Sequence, residues 1–137
     1  MAGYSGTPLV KKLGIKEDFA ASFINAPKDF LTQLDLPGGV KINPHSGLDF
    51  IHMFVKSRRE LETKFPLQAA RLVQNGMLWI SWPKKTSGVA TDVNENVVRE
   101  VGLANGLVDV KICAVDEVWS GLKFVFRLKD RKQFKSR

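Results

Sequence analysis

Apolar residues along this chain fall into short runs separated by turn-forming residues, and the runs differ in period. DFIHMFV, residues 49–55, is apolar at nearly every position, the pattern of a strand covered on both faces. Met77 to Trp82 reads the same way and stops at Pro83. Leu122, Phe124, Phe126 and Leu128 alternate, so residues 122–128 predict a strand with one buried face. Phe19 to Ile24 and Leu107 to Val115 predict further strands, and Val40-Lys41-Ile42 a short one. The segments between them have helical character. Thr7-Pro8 pairs a hydroxyl N-cap with proline at the first helical position, and Gly14 ends that short helix. Pro27 opens a second, with Phe30, Leu31 and Leu34 at helical spacing. Ser57 and Glu60 have the spacing of a capping box before a long helical segment, kinked at Pro66 and closing at Asn75-Gly76. Asp92 and Glu95 repeat that spacing ahead of an apolar stripe at Val93, Val97, Val98 and Val101, and Gly102 and Gly106 bracket its exit.

Strands alternating with helices predict an α/β fold: a Rossmann-like, mostly parallel twisted sheet with helices on both faces, joined by right-handed crossovers. The last connection, VDEVWSG, is too short for a crossover, so the C-terminal strand is expected to run antiparallel at or near an edge. The 137 residues are enough for one domain with a real core, assigned to residues 1–128, followed by a basic tail at 129–137.

Composition changes this picture little. The charged and apolar fractions, 26% and 44%, are those of an ordinary globular protein. No apolar stretch approaches the roughly 20 residues of a membrane span. MAGYSGTPLVKKLG lacks the order of a signal peptide, and Cys113 is the only cysteine, so a reducing cytoplasm is the expected location. The net charge of +7 is unevenly placed: residues 127–137 alone contribute +5 and the other 126 only +2. Such a tail attracts nucleic acid without sequence preference, or simply keeps the chain soluble.

The polar residues that suggest chemistry follow the predicted strands. In open parallel sheets ligands bind beyond the carboxyl ends of the strands, and these ends are Asn25-Ala26-Pro27, Lys56-Ser57-Arg58-Arg59, Trp82-Pro83-Lys84-Lys85 and Asp116-Glu117-Val118-Trp119-Ser120. In WPKKTSGVATD, residues 82–92, Lys84 and Lys85 supply charge, Thr86 and Ser87 hydroxyl donors, and Gly88 room for backbone approach, all before a helix N-terminus. Those are parts of an anion site, though not of a Walker A loop, which needs lysine and hydroxyl after its second glycine. The bland alternative is a solvated loop. Tyr4-Ser5-Gly6-Thr7, with Lys11 and Lys12 one turn on, poses the same choice, and there a capped helix start is the better reading. Asp116 and Glu117 beside Trp119 form a candidate acid–base pair or a solvated turn, and Trp119-Ser120-Gly121 is compatible with tight turn chemistry. His52, among apolar neighbours, reads as a hydrogen-bonded core residue, and His45 lies in a loop. With Cys113 inside a strand, no metal site is expected.

GYSGTPLVKKLGIK (3–16), SWPKKTSGVATD (81–92) and VVREVGLANGLVDVKICAVDEVWSGLKFV (97–125) together resemble a bacterial family of small proteins of unknown function. That family carries no activity to transfer. DFIHMFV, the helix after it and MLWISWPK also resemble the middle of the class I methyltransferase topology, which ends in a strand, a helix, a strand and an antiparallel strand. Members bind S-adenosylmethionine through a glycine-rich loop after the first strand and an acidic residue after the second. This chain has Asn25-Ala26-Pro27 at the first place and Asn43-Pro44-His45 at the second, so S-adenosylmethionine is disfavoured as its cofactor.

The resulting expectation is a cytoplasmic binding module for an anionic ligand, nucleotide- or phosphate-like, at the carboxyl edge. Lys84, Lys85, Thr86, Ser87 and Gly88 would contact the anion, with Trp82 or Trp119 as a stacking surface. The alternatives are a diverged methyltransferase-like enzyme using Asp116 or Glu117 as base, and a nucleic-acid-associated protein acting through its tail.

Overall fold

Along β3 (Leu48–Phe54) successive side chains enter two different cores. Ile51 and Met53 face a cluster with Leu61, Phe65, Val98 and Val101, whereas Phe50, His52 and Phe54 face one with Leu13, Phe30 and Leu34. That period of two explains why DFIHMFV carries no polar face. In this computed structural model, which describes residues 8–135, the other elements are α1 (Leu9–Leu13), β1 (Ala20–Ile24), α2 (Phe30–Gln33), β2 (Lys41–Ile42), α3 (Arg58–Ala69), β4 (Leu72–Pro83), α4 (Glu95–Ala104), β5 (Leu107–Ala114), β6 (Trp119–Phe126) and α5 (Leu128–Lys135). Helices α3 and α4 cover one face of the sheet and α1 and α2 the other.

The sheet has six strands in the order β2-β1-β3-β4-β6-β5. β2, β1, β3 and β4 pair in parallel, and β6 runs antiparallel to both β4 and β5. The expected α/β, Rossmann-like architecture is the one observed. The antiparallel C-terminal strand lies one place in from the border, and β5 holds the edge itself. It inserts there because the hairpin from β5 cannot cross the sheet, while β4 offers a free edge on the other side.

Several boundaries differ from the periodicity. The helix begun at Ser57 ends at Ala69, and Asn75-Gly76 lies inside β4, where the pairing shifts register between Leu48↔Leu72 and Phe50↔Met77. A Cβ on Gly76 would stand 2.9 Å from the Leu48 carbonyl oxygen, so glycine serves close strand packing rather than a helix stop. Gly102 likewise sits within α4, under the ring of Phe124. Gly121 is in β6 opposite Ser81, where a Cβ would meet Val115 at 3.0 Å and Trp79 at 3.1 Å; its part is to make room, not to turn. Gly14 does close α1, with φ 89, and the indole Nε1 of Trp79 donates to the Leu13 carbonyl at 2.8 Å, tying that helix to the sheet.

The connection from β2 to β3 crosses β1 in only a few residues. Arg71 holds it down, donating to the carbonyls of Pro44 (2.9 Å) and His45 (3.0 Å), while Ser22 on β1 donates to Asn43 Oδ1 at 3.0 Å. Beyond β6, α5 (Leu128–Lys135) carries the chain from the end of the domain into the segment assigned to the basic tail, and Arg131 Nε donates to the Phe126 carbonyl.

Candidate functional site at the carboxyl edge

Strand order changes direction at one place in the parallel part of the sheet. The chain passes from β1 outward to β2 and then returns to β3 on the other side of β1, so the connections leave β1 and β3 in opposite directions, the switch point at which open α/β sheets generally form their ligand crevice. Asn25 stands at this point. It adopts φ 59, a left-handed conformation that asparagine tolerates better than most side chains. Its Nδ2 donates to Glu60 Oε2 at 2.8 Å and lies 3.5 Å from the Phe54 carbonyl, which links the ends of β1, β3 and α3. Glu60 also pairs with Lys64 at 3.0 Å, and its side chain keeps 29% of its surface accessible.

The N-terminus of α3 faces the same edge, and two side chains from different segments occupy its unpaired donors. Ser57 accepts from the Glu60 N–H at 3.0 Å, as its capping spacing predicts. Asp92 accepts from the Arg58 N–H at 2.7 Å. The expectation that Asp92 caps the following helix is therefore corrected: Asn94 caps α4, accepting from the Val97 N–H at 2.9 Å. Thr91 donates to the Lys56 carbonyl at 2.6 Å, so residues 91 and 92 fold back over the turn between β3 and α3.

The loop after β4 lies one strand further along. Lys85–Ser87 form a single 3-10 turn. Lys85, Thr86 and Gly88 are exposed and Lys84 half-buried. The Ser87 hydroxyl donates to the Lys84 carbonyl at 2.7 Å and accepts from the Val89 N–H at 3.2 Å, so it shapes the loop from within. Gly88 has φ 78 and open space where a Cβ would stand. The two tryptophans are separated by the sheet: Trp82 is buried beneath α3 and α4, and Trp119 is buried on the α1 side, edge-on to Phe54 at 5.1 Å. Asp116 accepts from the N–H groups of Val118 and Trp119, both at 2.8 Å, and thereby builds the β5–β6 turn, while Glu117 is exposed. Lys84 N–H donates to the Val118 carbonyl at 2.7 Å, which brings that turn against the lysine loop. Tyr4-Ser5-Gly6-Thr7 lie outside the described residues.

Beneath this edge His52 is fully buried. Its Nε2 lies 2.7 Å from Ser81 Oγ and its ring stacks on Phe54 at 4.2 Å. Burial lowers its pKa from 6.5 to about 3, so the imidazole is neutral at pH 7. The expectation of a hydrogen-bonded core histidine agrees. Cys113 is half-buried, and burial raises its thiol pKa. Among the described residues no group of His, Cys, Asp and Glu is placed to hold a metal ion, and no helix is long and apolar enough to cross a membrane.

Solved structures share this arrangement. A magnesium protoporphyrin IX methyltransferase from Synechocystis PCC 6803, with S-adenosylmethionine bound, matches with a TM-score of 0.58 and 10% identity, covering 87% of this chain and 74% of the other. A S-adenosylmethionine-dependent methyltransferase from Aquifex aeolicus matches with a TM-score of 0.57 and 14% identity over 85% of this chain and 86% of the other. A ribosomal protein L11 methylase from Lactobacillus delbrueckii subsp. bulgaricus gives 0.55 and 9% over 87% and 75%. At such identities the likeness is one of fold: a Rossmann-like, methyltransferase-type sheet. No family model matches the sequence, and no curated protein matches it either, so the resemblance to a small bacterial family gains no support.

One expectation is overturned. S-adenosylmethionine was disfavoured because no glycine loop follows β1 and no acid follows β2. Yet structures with this fold have been solved with S-adenosylmethionine or S-adenosylhomocysteine bound. Backbone geometry after β1 and β2 also bears on this. Asn25 and Asn43, the residues following β1 and β2, both take positive φ, 59 and 60, a conformation otherwise left mostly to glycine. Neither residue would be noticed from its type alone. Asn25 and Glu60 meet only because β1 and β3 are neighbours, which no local pattern reveals.

Proposed function

We propose that the protein is a diverged methyltransferase-like protein that takes a ligand of the S-adenosylmethionine type at the crevice between β1 and β3. The observation that carries this reading is the strand order, which reverses direction at the place where Asn25, Ser57 and Glu60 converge. The residues present suit such a ligand. The left-handed turn at Asn25 lets the chain bend away from the crevice, and the Glu60 carboxylate is an acceptor for ribose hydroxyls or for the amino group of the methionyl part. A bound ligand of this kind supplies an activated methyl group, and the protein's residues bind and orient it. Of the two candidate bases, Asp116 is engaged by backbone donors, which leaves Glu117 as the more available carboxylate.

The test is calorimetry and thermal shift with S-adenosylmethionine and S-adenosylhomocysteine on the full chain. Binding that raises the melting temperature, and is weakened about tenfold in Glu60→Gln, supports the reading. Asn25→Gly keeps the left-handed turn and is expected to retain binding better than Asn25→Val. Absence of heat and of any shift at millimolar ligand would overturn it.

A second reading places an anion at the lysine loop. It is supported by Lys84 and Lys85 having no ion-pair partner among the described residues, beside the open backbone at Gly88. Thr86 is the remaining exposed hydroxyl there.

A further inference from the structure

β5 is the border strand of the sheet, and among the described residues no other strand pairs with its outer side. Such an edge presents unpaired backbone donors and acceptors in a row. Its side chains divide by chemistry. Ile112, opposite Leu122, is 49% exposed, and Val110, at the register shift, is 54% exposed. Lys111 lies opposite Lys123, so two like charges share one face. That opposition is unfavourable by itself.

More positive charge gathers on the same face. Lys111 Nζ donates to the Lys12 carbonyl at 3.0 Å, which brings α1 against the edge. The Lys123 ammonium is pushed below its ordinary pKa by burial and by the nearby charges of Lys111 and Lys16. No carboxylate forms an ion pair with Lys12, Lys16, Lys111 or Lys123 among the described residues. Asp109, the acidic residue of the strand, is turned to Arg99 on α4 at 3.0 Å. Cys113 is held towards its uncharged thiol by burial.

From this arrangement we infer that the β5 edge is a docking site for an extended acidic segment of another protein, added as a further strand. Carboxylates on the added strand would meet Lys111 and Lys123, and its apolar residues would cover Val110 and Ile112. A second copy of this chain is a poor occupant, because pairing edge to edge brings two lysine clusters together. Nucleic acid would satisfy the lysines and leave both the strand's backbone groups and Ile112 unused. A peptide strand uses all three.

The full chain is titrated with a fluorescein-labelled octapeptide of alternating glutamate and valine, read by anisotropy. Alternating glutamate–proline, alternating lysine–valine and oligo-dT serve as comparison probes. The glutamate–valine peptide is expected to bind at least about tenfold tighter than the others and to protect amides of residues 107–114 from hydrogen exchange. Lys111→Gln with Lys123→Gln is expected to weaken it about tenfold. This variant relieves a repulsion, glutamine can still donate to the Lys12 carbonyl, and an unchanged thermal midpoint checks that the fold is kept. Ile112→Thr, an exposed substitution by another strand-forming residue, should weaken binding as well. Equal binding of the proline peptide or of oligo-dT would overturn the inference, since pure charge attraction would suffice. Unchanged affinity in the lysine variant, protection elsewhere, or no binding of the glutamate–valine peptide would overturn it too.

Discussion

His52 Nε2 and Ser81 Oγ stand 2.7 Å apart across β3 and β4, both in side chains sealed from solvent. The imidazole is enclosed by Phe23, Phe30, Phe50, Phe54 and Trp79, and its Nδ1 has no hydrogen-bond partner. A charged ring there would lose hydration without gaining a counter-charge, which is why its pKa falls to about 3.

A pH dependence follows with a definite sign. Below 6.5 the unfolded chain binds a proton at His52 that the folded chain refuses until about pH 3. Stability is therefore intact above 6.5 and declines as pH falls towards 3, with a limiting slope of about 1.4 kcal/mol per pH unit from this group. Urea unfolding at pH 7, 6 and 5 should show the decline in the wild type. His52→Gln should be less stable at pH 7 and flatter between pH 6.5 and 5, a window in which ordinary carboxylates titrate little. Parallel profiles for the two proteins would contradict the assignment.

Gly102→Ala sets two effects against each other. In an exposed helix interior alanine would stabilise by up to ~1 kcal/mol. Here the added Cβ would run into the ring of Phe124, itself edge-on to Phe65 at 5.4 Å in a fully buried cluster. Overpacking costs about 1–3 kcal/mol and wins, so thermal unfolding should show a lower midpoint. Gly102→Ala combined with Phe124→Leu should recover part of the loss.

Asp92→Ala is expected to destabilise by about 0.5–2 kcal/mol, with the damage in α3 rather than in the helix that follows Asp92 in sequence. Hydrogen exchange separates the two. The Arg58 amide should lose protection in Asp92→Ala, while the Val97 amide should lose it in Asn94→Ala. Faster exchange across the first turn of α4 in Asp92→Ala would refute the assignment.

The lysine loop can be probed without disturbing the fold. Lys84→Ala with Lys85→Ala should change stability by no more than about 0.5 kcal/mol, because neither lysine makes an ion pair. If the loop holds an anion, sulfate or phosphate will stabilise the wild type more than the double mutant. Equal stabilisation of both is a general salt effect and would dismiss the second reading. Ser87→Ala should lower stability whether or not an anion is present, since its hydroxyl bridges Lys84 and Val89 within the loop.

What the sequence by itself determined is local in origin. Period-two alternation at Leu122, Phe124 and Phe126 (the strand expected to reach Leu128 stops at Phe126, and Leu128 opens α5, exposed), the doubly apolar DFIHMFV, the Gly14 stop and the Ser57 cap each depend on residues within one or two turns of each other. Each was legible, and with them the fold class. Even the antiparallel last strand could be read, because its connection is too short for a crossover. The tertiary structure alone decided the rest. It set the order β2-β1-β3-β4-β6-β5 and so brought Asn25 and Glu60 together at the carboxyl ends of β1 and β3, away from the lysine loop. It gave Asp92 to a helix that begins 34 residues earlier, and it placed Trp82 and Trp119 on opposite faces. It also turned Gly76, Gly102 and Gly121 from apparent punctuation into spaces for Leu48, Phe124 and Trp79. Periodicity records which face of an element is apolar. It carries no information on which distant element meets that face, and hydrogen bonds, steric room and charge clusters arise only from that meeting.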